Sequence, residues 1–198
     1  MAQIFTSLKE IILASGSPRR RAYLEDLGLS FRVSSADIEE KLHPGEASLA
    51  YVERLAQEKA RVVADENSKN WIVAADTVVC FEEMVLEKPD DEQHALEMLM
   101  RLSGKDHLVK TAVCLLNKSL SVCEVVTVTT HVFFWDFSED VAWAYVQSGE
   151  PLDKAGSYGI QGKGAFLVRE IHGSYSNVVG LPLCEFLEML IRHELITS

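Results

Sequence analysis

Three consecutive arginines, Arg19 to Arg21, stand at the start of a predicted helix, where they could bind an anion. Residues 11–14 are predicted to form a strand and residues 15–17 a Ser-Gly-Ser loop. Pro18 would then open the helix, with Ser17 as its N-cap. Positive charge in a first helical turn opposes the helix dipole by about 0.3–1 kcal/mol per charge, a cost that a bound anion would reverse. The free N–H groups of such a turn, together with an arginine, are typical of a phosphate site.

A surface helix with solvated arginines is the alternative for this strand–loop–helix unit, because such units are common in proteins. The loop has too few glycines for a Walker motif and lacks its Lys-Ser/Thr ending. Taken alone, the segment therefore indicates phosphate binding only weakly.

A second candidate for chemistry is Asp76, which lies in the apolar run WIVAADTVV at residues 71–79. A buried aspartate costs free energy unless it is paired, hydrogen-bonded or bound to a metal. The strand is predicted over residues 71–75, which places Asp76 where the carboxyl end of a strand opens onto a crevice, the usual ligand position in α/β sheets. A structural aspartate that holds a neighbouring loop is the alternative.

Two acidic residues and three lysines are weaker candidates: Glu39, Glu40, Lys59, Lys88 and Lys154. Each has a structural alternative, namely a solvated turn for the acidic pair, a helix edge for Lys59 and an ordinary loop for Lys88. Together they could supply carboxylates for a hard cation and ammonium groups for phosphates.

A third feature is the glycine-punctuated segment at residues 153–164, which contains Gln161. Glycine permits a close approach of the backbone to a ligand, and a glutamine amide can read a base as donor and acceptor at once. A plain connecting loop is the alternative, because loops favour the same residue types.

These candidates lie between elements that alternate in type along the chain. Apolar runs predict strands at residues 11–14, 71–75, 108–116, 122–134 and 166–171. Helical spacing predicts helices at residues 18–27 and 48–64, along the stripe 95–102, after the N-cap Ser138, and at about 183–194 behind Pro182. Residues 173–177 are predicted to form a turn. The pattern favours an α/β fold whose mixed twisted sheet has helices on both faces, since the runs from 107 to 135 look antiparallel.

Length and composition limit the functional classes. At 198 residues with 47% hydrophobic content and no linker-like tract, the chain is predicted to form one domain over residues 1–198. A net charge of −11 disfavours nucleic-acid binding. No apolar stretch approaches the roughly 20 residues of a membrane span and no targeting segment opens the chain, so a cytoplasmic protein is expected. The four scattered cysteines are predicted to be buried reduced thiols.

Seven short motifs occur in the order that is found in the Maf family, which the chain resembles over about residues 11–190. They are SGSPRR (15–20), ADT (75–77), EKP (87–89), SG (103–104) with His107, DKAG (153–156), YGIQG (158–162) and GLPL (180–183). The resemblance implies a nucleoside triphosphate pyrophosphatase with a fold similar to that of inosine triphosphate pyrophosphatases. It also implies a divalent metal cation, Mg²⁺ or Mn²⁺, a nucleoside triphosphate substrate and a homodimer in many members.

The same resemblance assigns roles to the matching residues. Asp76 would accept a proton from water, and Glu39 would join Asp76 at the metal. Lys59 and Lys88 would neutralise phosphate charge during catalysis. The implied substrate-binding residues are Ser15, Ser17, Arg19, Arg20, Thr77, Lys154 and Gln161.

Base choice within the family depends on three of these positions, Arg19, Thr77 and Gln161. Thr77 after Asp76 and Gln161 in a Gly-Ile-Gln-Gly turn resemble the branch that acts on dTTP and UTP rather than the 7-methyl-GTP branch. The implied reaction yields the monophosphate and pyrophosphate, and modified pyrimidine nucleotides are left open as substrates. A non-catalytic, nucleotide-sensing regulator of cell division or septum formation is the alternative function.

Overall fold

The computed structural model describes residues 4–82 and 84–197. Its strands are β1 (Thr6–Ser7), β2 (Ile11–Leu13), β3 (Phe31–Val33), β4 (Trp71–Phe81), β5 (Met84–Leu86), β6 (Asp106–Asn117), β7 (Val122–Phe134), β8 (Val168–His172) and β9 (Ile196–Thr197). Its α-helices are α1 (Pro18–Asp26), α2 (Ser48–Glu66), α3 (Glu92–Leu102), α4 (Glu139–Val146), α5 (Tyr175–Val179) and α6 (Leu183–Arg192). Short 3-10 helices cover Glu150–Asp153, Ala155–Ser157 and Gly162–Leu167.

The main sheet has seven strands in the order β3-β2-β4-β6-β7-β8, with β5 paired to β4. Strand β2 runs parallel to both β3 and β4, whereas β5 is antiparallel to β4 and β8 is antiparallel to β7. A separate antiparallel pair joins β1 and β9. The sheet is therefore mixed, as predicted.

The described chain divides into two compact units. Unit 1 comprises Met1–Asp76, Thr111–Thr127 and Gly180–Ser198, and unit 2 comprises Thr77–Lys110 and Val128–Val179. A single domain over residues 1–198 stays a prediction. No helix described in either unit is long and apolar enough to cross a membrane.

In unit 1, strand β4 packs against different helices on its two faces. Alternate residues of β4, namely Trp71, Val73 and Ala75, pack in one cluster with Leu24 of α1 and Phe186 of α6. Because successive side chains of a strand point to opposite faces, Asp76 faces the other side, where it meets a side chain of α2. Unit 1 thus carries helices on both faces of its strands, as the sequence predicts.

The core of unit 2 is built from the strand residues Val79, Val109 and Phe134 together with the apolar faces of α3 and α4. Helix α3 begins at a side-chain cap, because Asp91 Oδ1 accepts a hydrogen bond of 2.8 Å from His94 N. The 3-10 segments at 150–167 complete the unit, with Leu167 fully buried.

Strand β4 is longer than the sequence pattern predicts. It continues to Phe81, so Asp76 lies inside the strand and not at its carboxyl end. The extension is physically reasonable, because TVVCF at residues 77–81 consists largely of β-branched and aromatic residues and contains no Gly or Pro.

Several smaller predictions are corrected. Ser17 and Ser138 occupy N-cap positions, but neither side chain caps its helix. The strand predicted at 166–171 begins only at Val168, because the two preceding residues belong to a 3-10 helix. The turn predicted at 173–177 runs into helix α5 instead.

The four cysteines are free thiols, in agreement with the prediction of reduced cysteine. Cys80 and Cys114 are buried as predicted. Cys123 and Cys184 are exposed, so the prediction of burial is wrong for these two. Their apolar sequence neighbours pack inward, while these two side chains lie on the solvent side of β7 and α6.

Candidate active site

The candidate site of unit 1 lies where β2 and β3 end while their neighbour β4 continues. Leu13 of β2 is opposite Val73 of β4, and the last ladder bond joins Ala14 N to Val73 O at 2.7 Å. Asp76 lies three residues further along β4. The carboxyl ends of parallel strands are where ligands bind in α/β sheets. The candidate site is therefore bounded by the ends of β2 and β3 and by the middle of β4.

Lys59 lies at the centre of the site and contacts two carboxylates. Its Nζ is 2.5 Å from Asp76 Oδ1 and 2.6 Å from Glu40 Oε1. Lys59 and Asp76 are 8% and 6% exposed, whereas the side chain of Glu40 is 45% exposed. Helix α2 positions Lys59 because its apolar stripe, which includes Val52 and Leu55, is buried. The structural alternative of a solvated Lys59 head group is thus excluded.

Arg20 anchors the loop between β2 and α1. Its Nε donates a hydrogen bond of 2.7 Å to Gly180 O, and its Nη1 donates one of 3.2 Å to Ser15 Oγ. The same hydroxyl accepts a hydrogen bond of 3.2 Å from Ser17 N. The buried Ser15 therefore orders the loop before α1, the helix that Ser17 was predicted to cap.

Burial and charge act in opposite directions on the ionisable groups of this site. Burial raises the pKa of Asp76, and the nearby charges of Lys59 and Arg20 limit that rise, while Glu40 adds to it. Burial lowers the pKa of Arg20, whereas Asp76 and Glu40 raise it. A buried carboxylate whose pKa is raised is suited to accept a proton, since a general base works best with a pKa closer to neutrality.

The three predicted helix arginines differ in environment. Arg21 is exposed and pairs with Glu25 at 2.7 Å, so the alternative of a solvated surface arginine holds for this residue. Arg19 is half-buried in the first turn of α1. Arg20 and Arg19 thus lie near the end of β2 as the phosphate prediction requires.

The donor set around Lys59 fits a hard divalent cation. Among residues 4–82 and 84–197, no group of three or more His, Cys, Asp or Glu side chains is positioned to hold a metal ion. Magnesium commonly binds through one or two carboxylates together with substrate phosphates, so the neighbouring carboxylates of Asp76 and Glu40 fit that mode. Glu39, the residue predicted for the metal, is exposed, and its adjacent residue Glu40 is the one that contacts Lys59.

The remaining predicted residues belong to unit 2. Thr77, the residue after Asp76 in β4, is half-buried, while Lys88 and Gln161 are exposed. Lys154 Nζ lies 2.5 Å from both Asp153 Oδ1 and Glu150 O. The positions and contacts of these residues do not test their predicted roles.

One hydrogen bond within unit 2 brings two of the predicted segments together. Gly156 N donates to Glu87 O at 3.2 Å, which joins the segment that carries Lys154 to the segment that carries Lys88. Gly156 has φ of +66°, and a Cβ there would lie 2.8 Å from Val79 Cγ1. The DKAG motif therefore needs glycine both for its backbone shape and for its contact with β4.

Sequence reasoning missed two contributors to these arrangements. The carbonyl of Gly180 holds Arg20, and the carboxylate of Glu150 accepts hydrogen bonds from Lys163 N and Gly164 N at 2.9 and 3.0 Å. The spacing of residues along the chain does not predict which backbone carbonyl will accept a hydrogen bond from a side chain. For Glu150, the available signal was an acidic side chain just before a glycine-rich segment, whose backbone amides need acceptors.

The chain was compared with known proteins. A family model described as Maf-like protein matches residues 10–193. A dTTP/UTP pyrophosphatase of Desulfotalea psychrophila is 49% identical over 189 residues, which cover 96% of this chain and 97% of the relative. A dTTP/UTP pyrophosphatase of Myxococcus xanthus is 51% identical over 183 residues, which cover 92% of this chain and 91% of the relative.

A solved structure agrees with the fold. The Staphylococcus aureus Ham1 protein superposes with a TM-score of 0.54 at 15% identity, covering 94% of this chain and 100% of that protein. At this identity the likeness concerns the fold alone, and it confirms the predicted mixed-sheet α/β architecture. The matched motifs, the full-length relatives and the family model lead to one conclusion: this chain belongs to the Maf-like protein family.

Proposed function

We propose that this chain is a nucleoside triphosphate pyrophosphatase that hydrolyses dTTP and UTP to the monophosphate and pyrophosphate. The full-length relatives named dTTP/UTP pyrophosphatase support the reaction. The observation that supports the proposed chemistry is the buried contact of 2.5 Å between Lys59 Nζ and Asp76 Oδ1, beside the carboxyl ends of β2 and β3, since α/β proteins bind ligands at the carboxyl ends of their strands.

Asp76 is the proton acceptor in this proposal. A water molecule attacks the triphosphate, its oxygen forms a new bond to phosphorus, and the bond between the α-phosphoryl group and the pyrophosphate breaks. Asp76 takes the proton that water loses, and burial favours this by raising the pKa of the carboxyl group. Lys59 holds one carboxylate oxygen in place and so orients the base.

Cationic side chains stabilise the charge that develops on the pyrophosphate. Arg20, fixed by Ser15 and Gly180, and Arg19 beside it lie at the amino end of α1, where backbone amides also favour an anion. Lys59, Lys88 and Lys154 supply further positive charge in this proposal. Such catalysis consists mainly of positioning and electrostatics.

Asp76 and Glu40 would hold the divalent cation, Mg²⁺ or Mn²⁺, and Glu39 remains a proposed further contributor. When bound, the cation supplies Lewis-acid polarisation of a phosphoryl oxygen. Glu40 is proposed for this role because Lys59 contacts both its carboxylate and that of Asp76, so the two lie close together, and its side chain is still partly exposed.

Arg19, Thr77 and Gln161 are proposed to select the pyrimidine base, and Ser15 and Ser17 to bind the substrate. The amide of Gln161 offers an NH₂ donor group and a carbonyl acceptor side by side, which suits the paired donor and acceptor on the edge of uracil or thymine. A cytoplasmic location and homodimer formation also remain proposals.

The proposed function is tested with purified protein, Mg²⁺ and a panel that contains dTTP, UTP, dCTP and dGTP. We expect dTTP and UTP to be converted to monophosphate and pyrophosphate, with little turnover of the other two. Binding of dTTP by calorimetry without turnover would contradict the enzyme and favour a nucleotide-sensing regulator. Release of inorganic phosphate alone would contradict α–β cleavage.

A further inference from the structure

The segment from residue 150 to residue 167 has little regular structure to hold it. Three short 3-10 helices alternate with extended residues, and Gly156, Ser157 and Gly162 have positive φ angles of 66°, 58° and 78°. Lys154 and Gln161, both proposed to contact the nucleotide, lie in this segment. Its conformation must therefore be fixed by contacts other than a strand ladder.

The carboxylate of Glu150 supplies three of these contacts. Oε1 accepts hydrogen bonds of 3.0 Å from Tyr145 OH and from Gly164 N, and Oε2 accepts one of 2.9 Å from Lys163 N. Burial alone would raise the pKa of Glu150, but these donors lower it below its usual value. The group is therefore ionised at neutral pH, and charge-assisted hydrogen bonds close the loop directly after Gln161.

Tyr145 extends the same network to the other side of Gln161. Its hydroxyl donates to Glu150 and accepts a hydrogen bond of 3.2 Å from Gly159 N. A Cβ at position 164 would collide with the Tyr145 hydroxyl and would lie 2.6 Å from Gly159 O. Close packing at both ends thus leaves the backbone on either side of Gln161 little freedom.

Lys154 is held by the same residue. Its Nζ donates to the backbone carbonyl of Glu150 at 2.5 Å. Its side chain passes beside Gly159, where a Cβ would lie 2.9 Å from Lys154 Cε. Lys154 therefore contacts the backbone of Glu150 as well as the Asp153 carboxylate, whereas the backbone around Gln161 is held by the Glu150 carboxylate.

We propose that Glu150 is a positioning residue for substrate recognition: with Tyr145, its carboxylate fixes the backbone around Gln161 and so sets the preference for the pyrimidine base. This inference rests on the proposed function. Glu150 does not touch the reacting atoms in this account, so its loss changes selectivity and KM more than kcat.

The test compares wild type with E150Q, Y145F and E92Q. In E150Q an amide NH₂ replaces one carboxylate oxygen and faces an N–H donor, so at least one hydrogen bond is lost. In Y145F the link to Gly159 N is lost while the carboxylate remains. Glu92 is a matched control, because it is an exposed carboxylate of unit 2 that accepts one hydrogen bond of 3.0 Å from Gln147 Nε2.

The readout is the kcat/KM for dTTP divided by the kcat/KM for dCTP. These bases differ in donor and acceptor pattern, and the ratio does not depend on the fraction of folded enzyme. We expect the ratio to fall about tenfold in E150Q and about threefold in Y145F, with kcat for dTTP nearly unchanged. E92Q keeps the wild-type ratio.

An unchanged ratio in folded E150Q would overturn the positioning role, and so would a loss confined to kcat. If circular dichroism shows E150Q to be unfolded, the ratio measured for Y145F decides instead. A wild-type protein without dTTP turnover overturns the proposed function, whereas an active and selective wild type with unchanged variants overturns only the role of Glu150.

Discussion

Both units bury short polar contacts, and one contact from each unit shows a difference in charge. In unit 1 Lys59 Nζ meets Asp76 Oδ1 at 2.5 Å, with Arg20 and Glu40 acting on the same carboxylate. In unit 2 His107 Nε2 meets Tyr158 OH at 2.7 Å. Around His107 lie aromatic edges, with the ring of Phe134 4.8 Å away.

The surroundings of the two contacts explain why one is charged and the other is neutral. Burial lowers the pKa of His107 to about 4, so the imidazole is neutral at neutral pH. Unit 1 instead gathers opposite charges that offset part of the cost of burying Asp76. A buried ion pair is often no more stabilising than an apolar replacement, whereas a neutral aromatic contact fits a core. Under the proposed function, the charges of unit 1 serve catalysis, whereas the neutral His107 of unit 2 packs against aromatic rings.

The largest expected effect is on activity. Asp76→Asn removes the proton acceptor, and we expect dTTP turnover to fall by about 1,000-fold or more while circular dichroism stays unchanged. Steady-state pyrophosphate release measures the effect. Asp65→Asn is the matched control, because Asp65 forms an exposed pair with Lys118 at 2.7 Å. Near-wild-type turnover in folded Asp76→Asn would contradict the role of Asp76.

Removal of the buried ammonium group of Lys59 should lower the free energy of unfolding. Lys59→Met leaves Asp76 and Glu40 without their shared partner, and we expect a loss of about 3 kcal/mol in the free energy of unfolding. Lys118→Met, at an exposed pair, should cost less than about 0.5 kcal/mol. Urea denaturation at pH 7 measures both. Equal losses in the two variants would show that burial does not distinguish the pairs.

The histidine of unit 2 should make stability depend on pH. His107 binds a proton near pH 6.5 in the unfolded chain but only near pH 4 in the folded one. Its contribution to the free energy of unfolding is therefore complete above pH 6.5 and is lost as the pH falls towards 4. The loss amounts to at most about 3 kcal/mol. His107→Gln should flatten this part of the curve. Urea midpoints at several pH values provide the measurement, and an unchanged slope in His107→Gln would exclude this residue as the cause.

The smallest expected effect concerns the loop that holds Arg20. Ser15→Ala removes the acceptor of two hydrogen bonds, from Arg20 Nη1 and Ser17 N, and we expect a loss of about 1 kcal/mol in stability together with a modest rise in KM. Ser119→Ala, which removes a hydroxyl bonded to Asn117, is the control for KM. A KM that rises equally in both variants would argue against a specific role of Ser15.

The sequence predicted those elements whose periodicity was long and regular. β7 occupies residues 122–134 as predicted, and α2 buries the predicted stripe with Lys59 in it. The end of β4 was missed because a single aspartate interrupts the apolar run without ending the strand. For a short pair such as Glu39 and Glu40, only the path of the backbone decides which neighbour reaches Lys59. Likewise, the hydrogen bonds of Glu150 span 13 and 14 residues along irregular backbone, which no local pattern encodes.

The central claim is that dTTP is cleaved between its α- and β-phosphates in a reaction that depends on Asp76. Phosphorus NMR of dTTP with Mg²⁺ and either wild type or Asp76→Asn tests it most directly. We expect wild type to replace the three triphosphate signals with those of a monophosphate and pyrophosphate, while the variant leaves dTTP intact. Formation of dTDP and inorganic phosphate by wild type, or equal conversion by the variant, would contradict the claim.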